Sequence, residues 1–264
     1  MLIIRQPPSA RRPYTRMRSI LAVAAVLCGS LLTAGASAGT VRAAVAANFT
    51  AAAQEIGDAF TAASGHDVRF SFGSTGQLYA QISQGAPFDV FLAADQARPA
   101  RAEDEGLAAT GTRFTYATGA IALFSMDPDL VKGEATLRQG DFTRLAIANP
   151  EIAPYGAAAV GTMQALGVFE NLRERIVRGN NIAQVYQFVT TGNAELGFIA
   201  LSQLAGGAGG SHWVVPPDLY PPIAQDAVLL AAAGDVAAAR AFLDFLRGEE
   251  ANAIKDRYGY GPGN

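Results

Sequence analysis

Cysteine is almost absent from this chain. The single one, Cys28, falls near the start, so from residue 39 on there is no thiol for a disulfide, a nucleophile or a thiolate metal site. Histidine is nearly as scarce. His66 and His212 each sit beside a glycine or a serine in an expected loop and read as surface residues rather than bases or ligands. The motifs G-x-x-x-x-G-K-[ST], H-E-x-x-H and G-x-S-x-G do not occur, which removes three common signatures of phosphate loops, zinc proteases and hydrolases. There is no repeat of solenoid period and no low-complexity linker, and Ala205–Gly210 reads simply as a flexible loop. A hydrolase needs a nucleophile with a base in reach, and Ser74 and Thr75 have no obvious partner in the sequence.

Acidic residues are missing from the first 38 positions, which instead carry Arg5, Arg11, Arg12, Arg16 and Arg18 ahead of the apolar run Ile20–Leu32 and the small-residue ending Ala36-Ser37-Ala38. That order reads as a secretory signal peptide over 1–38, cut before Gly39, so the mature protein is expected to leave the cytoplasm. The run is too short and wrongly flanked for a spanning helix. Met17 offers a second possible start, Arg11-Arg12-Pro13 is only a weak twin-arginine match, and Leu27 before Cys28 fits a lipoprotein box poorly. Removing residues 1–38 takes away five arginines and no acid, leaving 226 residues with 15 basic and 23 acidic side chains, a net charge of −8. Such a chain has no basic patch for nucleic acid and is long enough for two modest lobes.

What is present is an alternation of apolar strands and helical faces. Val68, Phe70 and Phe72 alternate with Asp67, Arg69 and Ser71 as in a half-buried strand, and Leu78 and Ile82 then recur at helical spacing before Gly85. Between them stands Gly73-Ser74-Thr75-Gly76. A helix opening there aims free N–H groups and a positive dipole end at the turn, which suits an anion; the plainer reading is a turn with Ser74 as N-cap. Upstream, Thr40–Ala47 is a small apolar strand, and Ala52, Ile56, Phe60 and Ala63 mark a helix that Asn48 or Thr50 caps. The stretch Gly85–Asp95 supplies a third strand, with Asp95 capping the next helix. Asp89 and Asp95 read as a solvated loop end and an N-cap ahead of the alternative, a carboxylate pair or metal site.

The βαβαβα order predicts a doubly wound α/β fold. Phe114–Gly119 looks like a crossing, Ile121–Ser125 and Arg144–Asn149 are new strands, and helices open near Tyr155 and at Ile182, the latter after Gly179-Asn180-Asn181. Leu196–Ala200 is another strand. Pro216, Pro217, Pro221 and Pro222 mark a stiff loop, and Ala227–Ala231 returns to the first set of strands. A helix from Asp235 to Arg247 turns Val236, Phe242, Leu243 and Leu246 inward, and a last helix reaches Tyr258. In parallel sheets, helix starts of this kind gather at the carboxyl edge, where ligands bind.

Taken in order, Ala46-Ala47-Asn48-Phe49, Ser71–Gly76, Gly85–Phe91, Asn149–Gly156, Gly197–Ala200 and Arg257–Tyr260 resemble the periplasmic molybdate-binding proteins of ABC importers, a type II periplasmic binding protein family. The resemblance spans nearly all of residues 40–260. It implies two lobes, each a doubly wound mixed sheet flanked by helices, with the ligand in the cleft between them. Lobe I would comprise residues 39–118 and 224–264, and lobe II residues 119–223. Carried over position by position, the oxyanion contacts fall on Asn48, Ser74, Thr75, Tyr155 and Ile182, with Tyr155 and Ile182 acting mainly through backbone N–H. Molybdenum would enter only as the bound oxyanion, without direct protein ligands.

Two positions depart from the family pattern. Many members have serine where Asn48 stands, and a pocket tyrosine where Ala200 stands, so a hydroxyl donor is lost there. The implied ligands are molybdate and tungstate, the implied partner a membrane permease. No catalytic residue, cofactor or nucleic-acid partner is expected, and the protein is expected to act as a monomer. Alternatives are a binding protein for sulfate or phosphate, or a secreted phosphoryl or sulfuryl hydrolase. A net charge of −8 repels anions at long range, so affinity has to come from short, directed donors.

Overall fold

The computed structural model describes residues 2–3 and 38–263; the rest of the expected signal peptide, Cys28 included, lies outside the described residues. Strands β1 (Thr40–Ala46), β2 (Asp67–Gly73), β3 (Val90–Leu92) and β4 (Phe114–Gly119) alternate with helices α1 (Thr50–Ser64), α2 (Thr75–Ser83) and α3 (Ala97–Asp104). Then come β5 (Ile121–Ser125), α4 (Glu134–Gln139), β6 (Leu145–Ala148), α5 (Pro154–Ala165), α6 (Phe169–Leu172), β7 (Ile176–Gly179), α7 (Ile182–Thr190), β8 (Leu196–Ala200) and β9 (Ser211–Val214). The chain closes with β10 (Ile223–Leu229), α8 (Val236–Arg247) and α9 (Glu249–Arg257).

These strands form two five-stranded mixed sheets, ordered β2-β1-β3-β10-β4 and β7-β6-β8-β5-β9. In the first, β1 runs parallel to β2 and β3, and β10 antiparallel to β3 and β4. In the second, β6 is parallel to β7 and β8, and β5 antiparallel to β8 and β9. The chain passes to the second sheet between Gly119 and Ile121 and returns between Val214 and Ile223, through the proline-rich loop.

Burial explains the strand compositions. Inner strand β1 is covered on both faces, and Val41 and Ala43–Ala46 are buried, as expected of a parallel strand read as a continuous apolar run. One face of the first sheet holds Ile56, Phe60, Phe242 and Leu246 from α1 and α8, and the other holds Leu78 and Ile82 from α2 and Ala102 from α3. Edge strand β2 keeps its alternation, with Phe70 and Phe72 half-buried and stacked at 5.6 Å. The second sheet packs Leu123, Ile147 and Phe198 against Ala159 and Met163 of α5 and Val185 and Val189 of α7.

Several expectations change. Neither Asn48 nor Thr50 caps α1: Ala47–Phe49 forms a 3-10 turn, and Thr50 Oγ1 donates back to the Ala47 carbonyl at 2.9 Å. Phe114–Gly119 is not merely a crossing but an edge strand paired with β10. Val236 is 45 % exposed, because the inner face of α8 begins at Ala238. Asp95 does accept the Arg98 N–H at 2.9 Å at the start of α3.

Asp89 is the largest departure. It is fully buried, accepts from the Arg42 and Gly234 backbone N–H groups, both at 2.7 Å, and pairs with the Arg42 guanidinium at 2.8 Å. Burial alone would raise its carboxyl, but these donors together hold it below the usual carboxylate value.

Candidate functional site

Three helix starts and one 3-10 turn meet at a single point. Ser74 is the N-cap of α2, and its Oγ accepts the Gln77 N–H at 3.4 Å. Asn181 caps α7 in the same way, accepting the Gln184 N–H at 3.0 Å. At α5, Pro154 takes the first helical position, where its missing N–H costs nothing. Of the N–H groups that a helix start leaves without intrahelical partners, Gly76 donates to the Ile152 carbonyl at 2.9 Å and Gly156 to that of Ala153 at 2.9 Å. That leaves Thr75, Tyr155 and Ile182 as first-turn positions with backbone donors to offer.

Asn48, Ser74, Thr75, Tyr155 and Ile182 all line one cavity, together with Ala47, Ala94, Ala153 and Asn181 among others. The cavity is tight, about 10 Å³ measured at the centre of a water molecule, roughly the space that one water needs. It suits a compact inorganic ion rather than an organic metabolite. Apart from the Tyr155 phenol, no lining residue has an ionisable side chain. Thr75 Oγ1 accepts the Ala94 N–H at 3.0 Å, as Ser74 Oγ accepts that of Gln77, and each hydroxyl keeps its own proton to donate.

The Tyr155 hydroxyl belongs to a buried polar cluster. Asn48 Nδ2 lies 2.7 Å from Gln225 Oε1, 3.2 Å from the Tyr260 hydroxyl and 3.3 Å from that of Tyr155. The Asn48 carbonyl accepts from Tyr260 at 2.6 Å and from Ser202, just after β8, at 2.9 Å. Burial, more than any neighbour, pushes the Tyr155 and Tyr116 hydroxyls well above the ordinary tyrosine value and raises Tyr260 as well. All three stay neutral near physiological pH, so the cluster offers dipoles and no charge.

Contacts across the cleft hold the two sheets' ends together. Besides the bond from Gly76 to Ile152, Arg98 Nη2 donates to the Glu151 carbonyl at 3.0 Å. A roomier pocket of about 420 Å³ lies beside β4 among Phe114, Arg247, Lys255 and Gly263. Its cations are already engaged: Lys255 donates to the Tyr116 and Leu246 carbonyls at 2.7 and 3.0 Å, and Arg247 lies 3.7 Å over the Phe114 ring. Among the described residues no group of three or more His, Cys, Asp or Glu side chains could hold a metal.

Residues 41–261 match the model of the bacterial extracellular solute-binding protein family. The chain belongs to that family. The molybdate-binding protein ModA of Rhodobacter capsulatus is 54 % identical over 225 residues, covering 85 % of this chain and 89 % of the relative. ModA of Azotobacter vinelandii is 49 % identical, covering 92 % of this chain and 98 % of the relative. The solved Azotobacter vinelandii periplasmic molybdate-binding protein superposes with a TM-score of 0.81 at 38 % identity, over 83 % of this chain and 98 % of that one. This agrees with two mixed sheets flanked by helices, the two-lobed architecture of such binding proteins.

Within this solute-binding protein, sequence patterns missed three contributors. Asn181 stood in a recognised helix opening, and an asparagine directly before an apolar helix is a readable N-cap. Ala94 contributes only a backbone N–H, which no side-chain pattern reveals. Gln225 interrupts the buried strand Ile223–Leu229, and a glutamine there is itself a signal, since buried polar groups need partners.

Proposed function

We propose that this protein binds molybdate in the periplasm and delivers it to the membrane permease of an ABC importer, with tungstate accepted by the same donors. The oxyanion is held by Asn48, Ser74, Thr75, Tyr155 and Ile182. The observation that carries this reading is the convergence of three helix starts on one tight cavity that holds no charged side chain. A buried dianion is costly unless its oxygens are fully hydrogen-bonded. Charge-assisted bonds contribute about 1.5–3 kcal/mol each, so several backbone and hydroxyl donors, helped by the dipoles of α2, α5 and α7, offset that cost. The identity of the ModA relatives supports molybdate over other oxyanions.

The protein is a carrier and not an enzyme, as the family indicates. Lobe I comprises residues 39–118 with 224–264 and lobe II residues 119–223, joined near Gly119 and again before Ile223. Closure about these crossings brings the first turn of α2 to the loop ahead of α5, expels water and completes the donor shell. Residues 1–38 direct export and are cut off before Gly39 on the way to the periplasm, and the mature protein acts as a monomer. Melting the mature protein against a panel of oxyanions tests the reading, since a ligand that binds only the folded state raises the melting temperature. Molybdate and tungstate are expected to shift it strongly, and phosphate hardly at all. A shift for phosphate alone would contradict the assignment.

A further inference from the structure

Asn48 lines the cavity, and its side-chain amide nitrogen is held by Gln225. Gln225 belongs to β10 and stands where the pairing of β10 with β4 shifts register, between Gln225 and Asp226; a bulge of this kind re-aims a side chain. It is completely buried. Its Oε1 accepts from Asn48 Nδ2 at 2.7 Å and from the Tyr116 hydroxyl at 3.3 Å. Its Nε2 has no partner, and among the described residues it is the one buried side-chain nitrogen or oxygen in that condition.

The Asn48 side is equally uneven. Nδ2 is within bonding distance of three oxygens, those of Gln225, Tyr260 and Tyr155, yet a primary amide has only two N–H groups to give. Oδ1 receives no hydrogen bond among the described residues. It is therefore the acceptor end that this arrangement leaves for the cavity. An acceptor facing a fully deprotonated tetrahedral dianion is repulsive.

A half-turn of both amides, which moves no carbon atom, reverses this. Gln225 Nε2 then donates to Asn48 Oδ1 and to the Tyr116 oxygen, whose own proton goes to the Ala93 carbonyl at 3.2 Å. Asn48 Oδ1 also becomes an acceptor for the Tyr155 hydroxyl, and Nδ2 faces the cavity as a donor. The unpartnered atom of Gln225 becomes a carbonyl oxygen, which is tolerated more readily than a bare buried N–H.

Resting on the oxyanion reading above, we propose that Gln225 is a positioning residue for specificity. Through its contact with Asn48 it sets whether the cavity presents a donor or an acceptor, and a fully deprotonated oxyanion selects the arrangement in which both amides have turned. A ligand carrying its own hydroxyl, such as hydrogen phosphate, suits the unturned arrangement, because Asn48 Oδ1 accepts its proton. The amide pair therefore acts on the ratio between the two anions and not on general anion affinity.

The test is a cycle of Gln225→Met, Asn48→Ala and the double variant, each titrated calorimetrically with molybdate and with phosphate beside the unaltered protein. Gln225→Met is expected to weaken molybdate about tenfold, on the order of one charge-assisted bond, and to narrow the molybdate-to-phosphate ratio. In the Asn48→Ala background the same change is expected to alter neither anion by more than about twofold. Equal losses in both backgrounds, or an unchanged ratio, overturn the proposal. Should Gln225→Met fail to fold, Gln225→Glu decides. Its carboxylate has acceptors at both ends and pins Asn48 Nδ2 away from the cavity, so the ratio must fall even though added charge weakens both dianions; an unchanged ratio overturns the proposal here too. If the unaltered protein does not bind molybdate, the oxyanion reading fails and this inference with it. If it binds and the ratio stays fixed, this inference alone fails.

Discussion

The backbone N–H of Gly76, in the first turn of α2, donates to the carbonyl of Ile152, in the loop ahead of α5, at 2.9 Å. This bond joins the two sides of the cleft directly beside the cavity. Only glycine permits it, because a Cβ at position 76 would lie 2.9–3.1 Å from Ile152 Cβ, Cα and Cγ2. Gly76→Ala is therefore expected to hold the lobes slightly apart and to weaken molybdate binding. Overpacking of this kind costs about 1–3 kcal/mol, or roughly 5–150-fold. Calorimetry gives the loss, and X-ray scattering with and without molybdate should show less compaction than in the unaltered protein. Full affinity in Gly76→Ala would mean that closure does not need this contact.

Thr75 separates two effects. Thr75→Ala removes a proposed donor to the ligand and also leaves the buried Ala94 N–H without its acceptor. Thr75→Ser keeps the oxygen in both roles. The alanine variant is expected to lose about 1–3 kcal/mol of binding, whereas the serine variant stays within about threefold of the unaltered protein. Calorimetric affinities that treat the two variants alike would remove the hydroxyl from the site.

Asp89 bears on stability and not on binding. Asp89 is buried but the Arg42 side chain is 40 % exposed, so Asp89→Asn costs the charge-assisted bonds to the carboxylate without leaving a buried unpaired charge, and should destabilise by about 1.5–3 kcal/mol near neutral pH in urea unfolding. The folded carboxyl lies below its ordinary value of 3.8. Its contribution is thus complete above the unfolded value and is lost as pH falls through the folded one. The gap between the unaltered protein and Asp89→Asn should close in that acid range; a gap independent of pH would contradict the ionised pair.

Lys255 gives the opposite handle. Burial pulls its ammonium down to about 8 from 10.5, and the neighbouring Asp256 only partly opposes this. Between those values the unfolded chain binds more protons than the folded one, so stability rises with pH across the window. The full gain is about 3 kcal/mol. Unfolding free energies at pH 7.5 and 10 should show this rise in the unaltered protein and not in Lys255→Met. The same rise in both proteins would assign it to other groups.

Sequence patterns located the helix starts at Ser74, near Tyr155 and at Ile182, because each is a local event: a polar or proline residue, then apolar spacing of 3.6. Seven of the ten described strands were legible for the same reason; β4 read only as a crossing, and β7 and β9, the edges of the second sheet, carried no strand signal, so that His212, expected in a loop, lies in β9. What stayed hidden was long-range pairing. Nothing near Asp89 announces Arg42, 47 positions earlier, and Asn48 resembles a cap until Gln225, Tyr260 and Ser202 are seen closing on it from far along the chain. The 3-10 turn at Ala47–Phe49 follows from those tertiary bonds and has no local signal of its own.

The cavity wall has no side chain that titrates near neutral pH, and a partly protonated ligand brings a hydroxyl that only Asn48 Oδ1 could accept, at the loss of the Asn48 donor. Titration calorimetry of the mature protein with molybdate and phosphate, from about pH 6.5 to 8.5, a range clear of the ordinary tyrosine and carboxyl values, tests the whole account most directly. The expected result is one molybdate per chain, an affinity nearly flat across that range, and phosphate at least about a hundredfold weaker, two lost charge-assisted bonds' worth. Phosphate binding as tightly as molybdate, or a tenfold drift of molybdate affinity across the range, would contradict it.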